Sequence, residues 1–208
     1  MHTVLRATSL TLVAVLEDSL RSDPVLRHLF DIHSAGHMVV TLNTPEEMRQ
    51  RKEEGLSVWL YRVVRDDVRA NDPPVRTDPT HLLPPPLPLR LHYLMTAVTQ
   101  RAEGATPENE QLILGKVLQR FHTHPELRGA DLRDDLQGTD ASLHVRLESL
   151  TLDEASRVWD ALKASYQLSV SYEVTLANIL AEVVPERIVP VDIALPRYGA
   201  ATLVRGGE

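Results

Sequence analysis

The stretch Leu150–Tyr172, LTLDEASRVWDALKASYQLSVSY, decides the fold. Thr151 stands three residues before Glu154. At this capping-box spacing a hydroxyl and a carboxylate satisfy two helix-start backbone donors reciprocally, and Leu150 and Ala155 occupy the staple positions. Leu152, Ala155, Val158, Trp159 and Leu162 recur at helical spacing, whereas Leu168, Val170, Tyr172, Val174 and Leu176 recur at a period of two. A capped helix, a tight return and a strand with one buried face are therefore predicted. None of these residues carries reactive chemistry, so the stretch reads as scaffold and turns attention from catalysis to assembly.

Upstream, Leu143, Val145 and Leu147 alternate with His144, Arg146 and Glu148, a half-exposed strand, and residues 126–141 read as a charged loop. Thr106 and Pro107 open a helix as cap and first-turn proline; Ile113, Leu114, Val117, Leu118 and Phe121 face inward, and His124-Pro125 stops it. Leu89, Leu91, Tyr93, Met95 and Ala97 alternate with Arg90, His92, Leu94 and Thr96, giving a central strand. Leu56, Val58 and Leu60 form another, whose opposite face carries Trp59 and Tyr61. Met38–Leu42 is a short strand, and Glu46–Glu54 a solvated loop or short helix ended by Gly55. Residues 3–21 form a first helix with Leu5, Thr8, Leu12, Val15, Leu16 and Leu20 on one stripe. Leu10 and Val13 lie off that stripe, and a band this wide belongs to a helix covered on two sides, either within one domain or at a subunit contact.

Seven of the fourteen prolines fall between Pro73 and Pro88, so residues 66–88 are read as a proline-rich loop inserted in the domain. Beyond Ile179, Val189, Val191, Ile193 and Leu195 share one face of an extended segment punctuated by Pro185, Pro190 and Pro196. Such a segment fits only an edge strand or an arm on another surface. The expected class is α+β: a mixed or largely antiparallel sheet of about five strands with three helices packed on it over residues 1–179, then an extended arm over 180–208.

A chain of 208 residues can bury a core without staples, and it contains no cysteine, which removes thiol catalysis, disulfides and thiolate metal sites. Twenty-nine acidic residues against 22 basic ones give a net charge of −7, with no clustered basic surface for nucleic acid. The apolar run Ser9–Leu16 is too short to span a bilayer, and no direct membrane insertion or secretion signal is predicted. His28, His33 and His37 are close in sequence, as are His122 and His124, but His33 and His37 lie in a Ser-Ala-Gly loop after the helix break with no H-E-x-x-H pattern, and His122 and His124 sit at a helix terminus, so neither group is read as a metal site. There is no G-x-S-x-G elbow, no Walker loop and no G-x-G-x-x-G, so no catalytic, cofactor or metal residue is assigned.

Four blocks in order carry a family resemblance: Leu60-Tyr61-Arg62-Val63 with Asn71; Pro88-Leu89-Arg90-Leu91-His92-Tyr93-Leu94-Met95-Thr96; Leu114-Gly115 and Leu118 leading to His124-Pro125; and Trp159, Leu162, Tyr166, Leu168-Ser169 and Tyr172. Over residues 4–179 the chain resembles the N-terminal domain family of the tube-capping terminator protein of extracellular contractile injection systems, of the virulence-cassette and antifeeding-prophage type. The resemblance implies a tail-terminator-like fold without a catalytic motif. It also implies a homo-oligomer, a hexameric ring, on the distal end of the inner tube that meets the last sheath layer. Such a protein assembles in the cytoplasm within a phage tail-like particle that is released. The partner-interface candidates are Val189, Val191, Ile193, Leu195, Leu10, Val13, Trp59 and Tyr61. The alternative reading is a soluble binding or scaffolding module outside any particle.

Overall fold

The computed structural model describes residues 3–31, 36–69, 75–78, 81–83, 87–99, 107–175 and 186–187. The chain begins with α1 (Val4–Ser22), a single turn α2 (Arg27–Phe30), β1 (Val39–Thr41), α3 (Pro45–Arg51) and β2 (Gly55–Arg65). It continues through β3 (Val75–Asp78), β4 (His81–Leu83), β5 (Leu89–Val98), α4 (Pro107–Thr123), β6 (Glu126–Arg128), β7 (Ser142–Glu148), α5 (Leu152–Ala161), β8 (Ser169–Thr175) and β9 (Glu186–Arg187). Six strands form one sheet in the order β1-β2-β5-β8-β7-β6, antiparallel throughout except for the parallel β1–β2 pair.

The class is α+β as expected, with differences in count. The sheet has six strands rather than about five because residues 126–141 are not only loop: β6 pairs with β7, and two 3₁₀ turns, Gly129–Asp131 and Asp134–Leu136, follow it. There are more than three helices because Glu46–Glu54 begins as α3, with a capping box of its own between Thr44 and Glu47. The 66–88 insertion also contains strand. β3 and β4 pair, and β4 pairs with β9 from the C-terminal segment, in a separate three-stranded sheet. Prolines 73, 74, 79 and 84–86, which fix φ and remove donors, fall outside the described residues and outside these strands. The Thr106 cap, Leu176 and the Ile179 boundary also lie outside the described residues.

The main core covers one face of the sheet. Leu12, Leu16 and Leu20 of α1, Phe30 of α2, and Ile113, Val117 and Phe121 of α4 meet Leu56, Val58, Leu91, Tyr93, Met95, Val145, Tyr172 and Val174. Fully burying one such side chain contributes about 1.5–3 kcal/mol. Tyr93 is completely buried yet keeps its hydroxyl 2.8 Å from Ser9 Oγ, which ties β5 to α1; burial pushes its phenol well above the ordinary range. Phe121 and Tyr172 meet edge to face, with ring centroids 5.0 Å apart, and burial pushes the Tyr172 phenol up to about 12.

A smaller buried group, Met48, Leu94, Val98 and Trp159, lies apart from that core. α3 packs against β2 and β5, and α5 places Trp159 Nε1 3.3 Å from Ser169 Oγ. The capping box that begins α5 forms as predicted, with Thr151 Oγ1 accepting from the Glu154 N–H and the Glu154 carboxylate accepting from the Thr151 N–H. Leu152 and Leu168, expected to face inward, are 70% and 49% exposed, because the helix buries Trp159 and the strand begins only at Ser169. Gly55 has φ +136°, and a Cβ there would lie 1.9 Å from the Val39 carbonyl oxygen, so a side chain is excluded where β1 meets β2.

Candidate functional site

The sheet's second face is built by the residues that alternate with the core. Direct pairing puts Arg62, His92, Glu173 and Arg146 in one row across β2, β5, β8 and β7. The next row toward α5 holds Trp59, Leu94, Ser171 and Glu148. A β-bulge between Leu60 and Arg62 makes Tyr61 the extra residue of β2. Its ring stands 6.0 Å from Trp59 and 6.1 Å from His92, centroid to centroid. Its hydroxyl lies 3.1 Å from Ser171 Oγ, and partial burial raises its pKa.

Two carboxylates anchor this face. Glu148 accepts from Ser171 Oγ at 2.7 Å and from His92 Nδ1 at 2.9 Å. Glu173 accepts from Arg146 Nη2 at 3.0 Å and Arg90 Nη1 at 3.4 Å, while Arg90 Nε is 3.8 Å from Asp66. His92, Glu148 and Glu173 offer ligand atoms within 4.8 Å of one another, the one such triplet among the described residues, and His92 Nε2 has no hydrogen-bond partner there. A cation on these atoms would sit beside the two guanidinium groups that already neutralise Glu173. The donor set is therefore that of an ion-pair network with compensated charge rather than of a metal centre. Sequence reading missed this cluster because it weighed neighbouring histidines; His92 and Glu173 are 81 positions apart and meet only through strand pairing.

The sequence-predicted contact residues are spread over the molecule. Leu10 is 37% exposed on α1, whereas Val13 is partly buried against the core. Trp59 and Tyr61 are half-buried and, with Arg62, Leu150, Glu154, Arg157, Val158 and Ala161, line a cleft of about 360 Å³ between β2 and α5. Val189, Val191, Ile193 and Leu195 lie outside the described residues. His28, His122 and His124 are exposed, and His37 pairs with Glu54. An apolar groove that sequence reading did not anticipate runs between β7, α5 and β8, where Leu147, Leu152 and Tyr166 are exposed. No helix among the described residues is long and apolar enough to cross a membrane.

One edge is open. β1 pairs only with Gly55–Ser57, so from Val58 to Arg65 β2 has β5 on one side and, among the described residues, no strand on the other. Val63, on this stretch, is 44% exposed. An uncovered apolar edge is a template for another strand.

The family model for the Pvc16 N-terminal domain matches residues 7–192. Among solved structures, the chain is similar to the PVC sheath/tube terminator of an extracellular contractile injection system in the extended state. The identity is 17% and the TM-score 0.54, over 98% of this chain and 64% of that one. It is also similar to the tube-terminating cap of the anti-feeding prophage, at 18% identity and TM-score 0.55, over 89% of this chain and 59% of that one. At these identities the likeness is one of fold, and the chain spans about three-fifths of the length of both terminators. No curated protein matches the chain.

Proposed function

We propose, from the premise that this chain belongs to the Pvc16 N-terminal domain family, that it is a non-enzymatic cap of a contractile injection particle. In this reading it closes the distal end of the inner tube and meets the last sheath layer. The observation that carries the reading is the family match over residues 7–192, joined to the fold it shares with two terminators.

The physical logic is one of mismatched faces. A tube grows because each ring presents the next with the same docking surface, and a ring that presents no such surface on its far side ends the stack. The cap is a homohexamer matching the tube; six copies of the 23.3-kDa chain would give about 140 kDa. Assembly takes place in the cytoplasm, and the protein leaves as a component of the released particle. The working residues are the exposed Leu10, the Trp59–Tyr61 cleft and the segment Val189–Leu195.

Deleting the gene in the native particle tests the proposal. Tubes of irregular length with open distal ends are expected, and tubes of unchanged uniform length with a normal end would refute it.

A further inference from the structure

We propose that the cleft between β2 and α5 is the docking site for an acidic peptide segment of a partner protein, which seats an apolar side chain in the cleft and pairs its carboxylates with Arg62 and Arg157. The proposal rests on the cap reading for the cleft being a contact surface, and it adds the chemistry of what is contacted.

The cleft is built for an apolar anchor. Trp59, Tyr61, Leu150 and Val158 line its volume of about 360 Å³. Tyr61 stands as a fixed wall, because its hydroxyl lies 3.1 Å from Ser171 Oγ, which in turn donates to Glu148 at 2.7 Å. A wall positioned in advance loses little freedom when a ligand arrives.

Charge selects what the anchor is attached to. Two guanidinium groups stand at the cleft, Arg62 from β2 and Arg157 from α5. Arg62 is exposed and forms no ion pair among the described residues. Arg157 pairs with Asp153 at 2.9 Å, but the two side chains are 77% and 73% exposed, and such a pair contributes little in water and yields to a better-placed carboxylate. The one carboxylate that lines the cleft, Glu154, is already engaged: the Thr151 N–H and hydroxyl both donate to it at 2.8 Å.

The same asymmetry continues along the sheet's second face. Arg146 is 73% exposed there, whereas the side chains of Asp66, Glu148 and Glu173 are 9%, 17% and 8% exposed. The acids are sunk beneath the cations, so an approaching chain meets guanidinium on a protein whose net charge is −7. Complementary charge brings an acidic segment to this place and turns a basic one away. A nucleic acid would extend its charge beyond the cleft onto an acidic molecule, whereas a short acidic segment keeps its charge against the arginines.

Trp59 reports on the cleft, since the chain has two tryptophans and the other, Trp159, is 1% exposed. Full-length protein is titrated with a synthetic peptide of leucine, serine and glutamate, with its counterpart carrying lysine for glutamate, and with a thymidine oligonucleotide. Tryptophan emission should shift with the acidic peptide alone, and the shift should vanish in Trp59→Phe. The surface double variant Arg62→Glu/Arg157→Glu should melt as the wild type does and bind the acidic peptide about tenfold or more weakly. No shift with the acidic peptide, equal affinity for both peptides, or a shift with the oligonucleotide alone overturns the proposal. In assembled particles, p-benzoylphenylalanine in place of Tyr61 is photolysed and the joined peptide sequenced. An acidic segment of another protein is expected; a basic segment, residues of the chain itself, or no adduct overturns the proposal. Tube length separates the two ideas. Uniform, closed tubes without an acidic adduct end this proposal and leave the cap reading intact, whereas acidic-peptide binding by a protein whose gene deletion leaves tube length unchanged ends the cap reading alone.

Discussion

The two faces of the six-stranded sheet are written by alternate residues of the same strands, yet they are built on different physics. The α1–α4 face is a continuous apolar core from Leu12 to Val174. The other is divided: Met48, Leu94, Val98 and Trp159 bury one end, and an ion-pair network of Arg90, His92, Arg146, Glu148 and Glu173 fills the other. The first face gains stability with little dependence on geometry, because apolar burial is non-directional. The second depends on each partner's position, since a buried carboxylate without its donors costs more than the pair contributes. Fold identity therefore resides on the first face, and the second has surface to spare for contacts.

The sharpest way to break this comparison is a pair of truncations on one strand. Leu91→Ala, in the main core, should cost about 3–5 kcal/mol, and Leu94→Ala, on the second face, about 2–3 kcal/mol. Denaturant unfolding gives both values. If the two losses are equal, the second face is as integral to the fold as the first. Leu94→Ala should also change tryptophan emission before global unfolding, because Trp59 stands directly opposite Leu94, whereas Leu91→Ala should not.

A smaller effect sharpens the account of the polar end. Glu173→Ala takes the carboxylate away from Arg90 Nη1 and Arg146 Nη2 together and should cost about 1–3 kcal/mol. Arg146→Ala should cost under about 0.5 kcal/mol, because its side chain is 73% exposed and water replaces the lost partner. Thermal melts of the two variants that superimpose would mean that Glu173 is not held as the network requires.

The least effect concerns the cap of α5. Hydrogen bonds from the Thr151 backbone N–H, and then its hydroxyl, hold the Glu154 carboxyl below its ordinary value of 4.5. A carboxyl depressed in the folded state contributes stability that is present above 4.5 and is lost as pH falls through its folded value. Acidification below 4.5 should therefore loosen α5 in the wild type, followed by helix circular dichroism. Thr151→Ala should loosen it at neutral pH and reduce this component of the pH response, because the hydroxyl donor is lost while the backbone N–H stays. A wild-type acid transition unchanged by Thr151→Ala would assign the loosening to other carboxylates.

Legibility followed the same division. α1, β2, β5, α4, β7, α5 and β8 were readable from periodicity, because each has a face in contact with the core or a cap fixed by local hydrogen bonds. β6 was not, since Glu126-Leu127-Arg128 offers one buried residue and takes its order from β7. β3 and β4 were hidden by the surrounding prolines, and β9 by being two residues long. Among contact residues, Trp59 and Tyr61 could be singled out as aromatics opposite an apolar face. The open edge beside them could not, because it depends on where β1 stops pairing. The exposure of Leu152 and Leu168 was equally invisible, since period alone does not tell which end of a stripe runs past its partner.

The bulge in β2 gives this strand a removable residue. Pairing is regular on both sides of Tyr61, with Leu60 opposite Tyr93 and Arg62 opposite His92. Shortening the chain by that one position would join two ladders already in step, sparing every other partnership in the sheet. An insertion or deletion elsewhere in β2 would turn half of its side chains to the wrong face. Gene-level length variation in this strand therefore has one site that spares the register, and it falls on the aromatic that reaches from the cleft to Ser171 and Glu148.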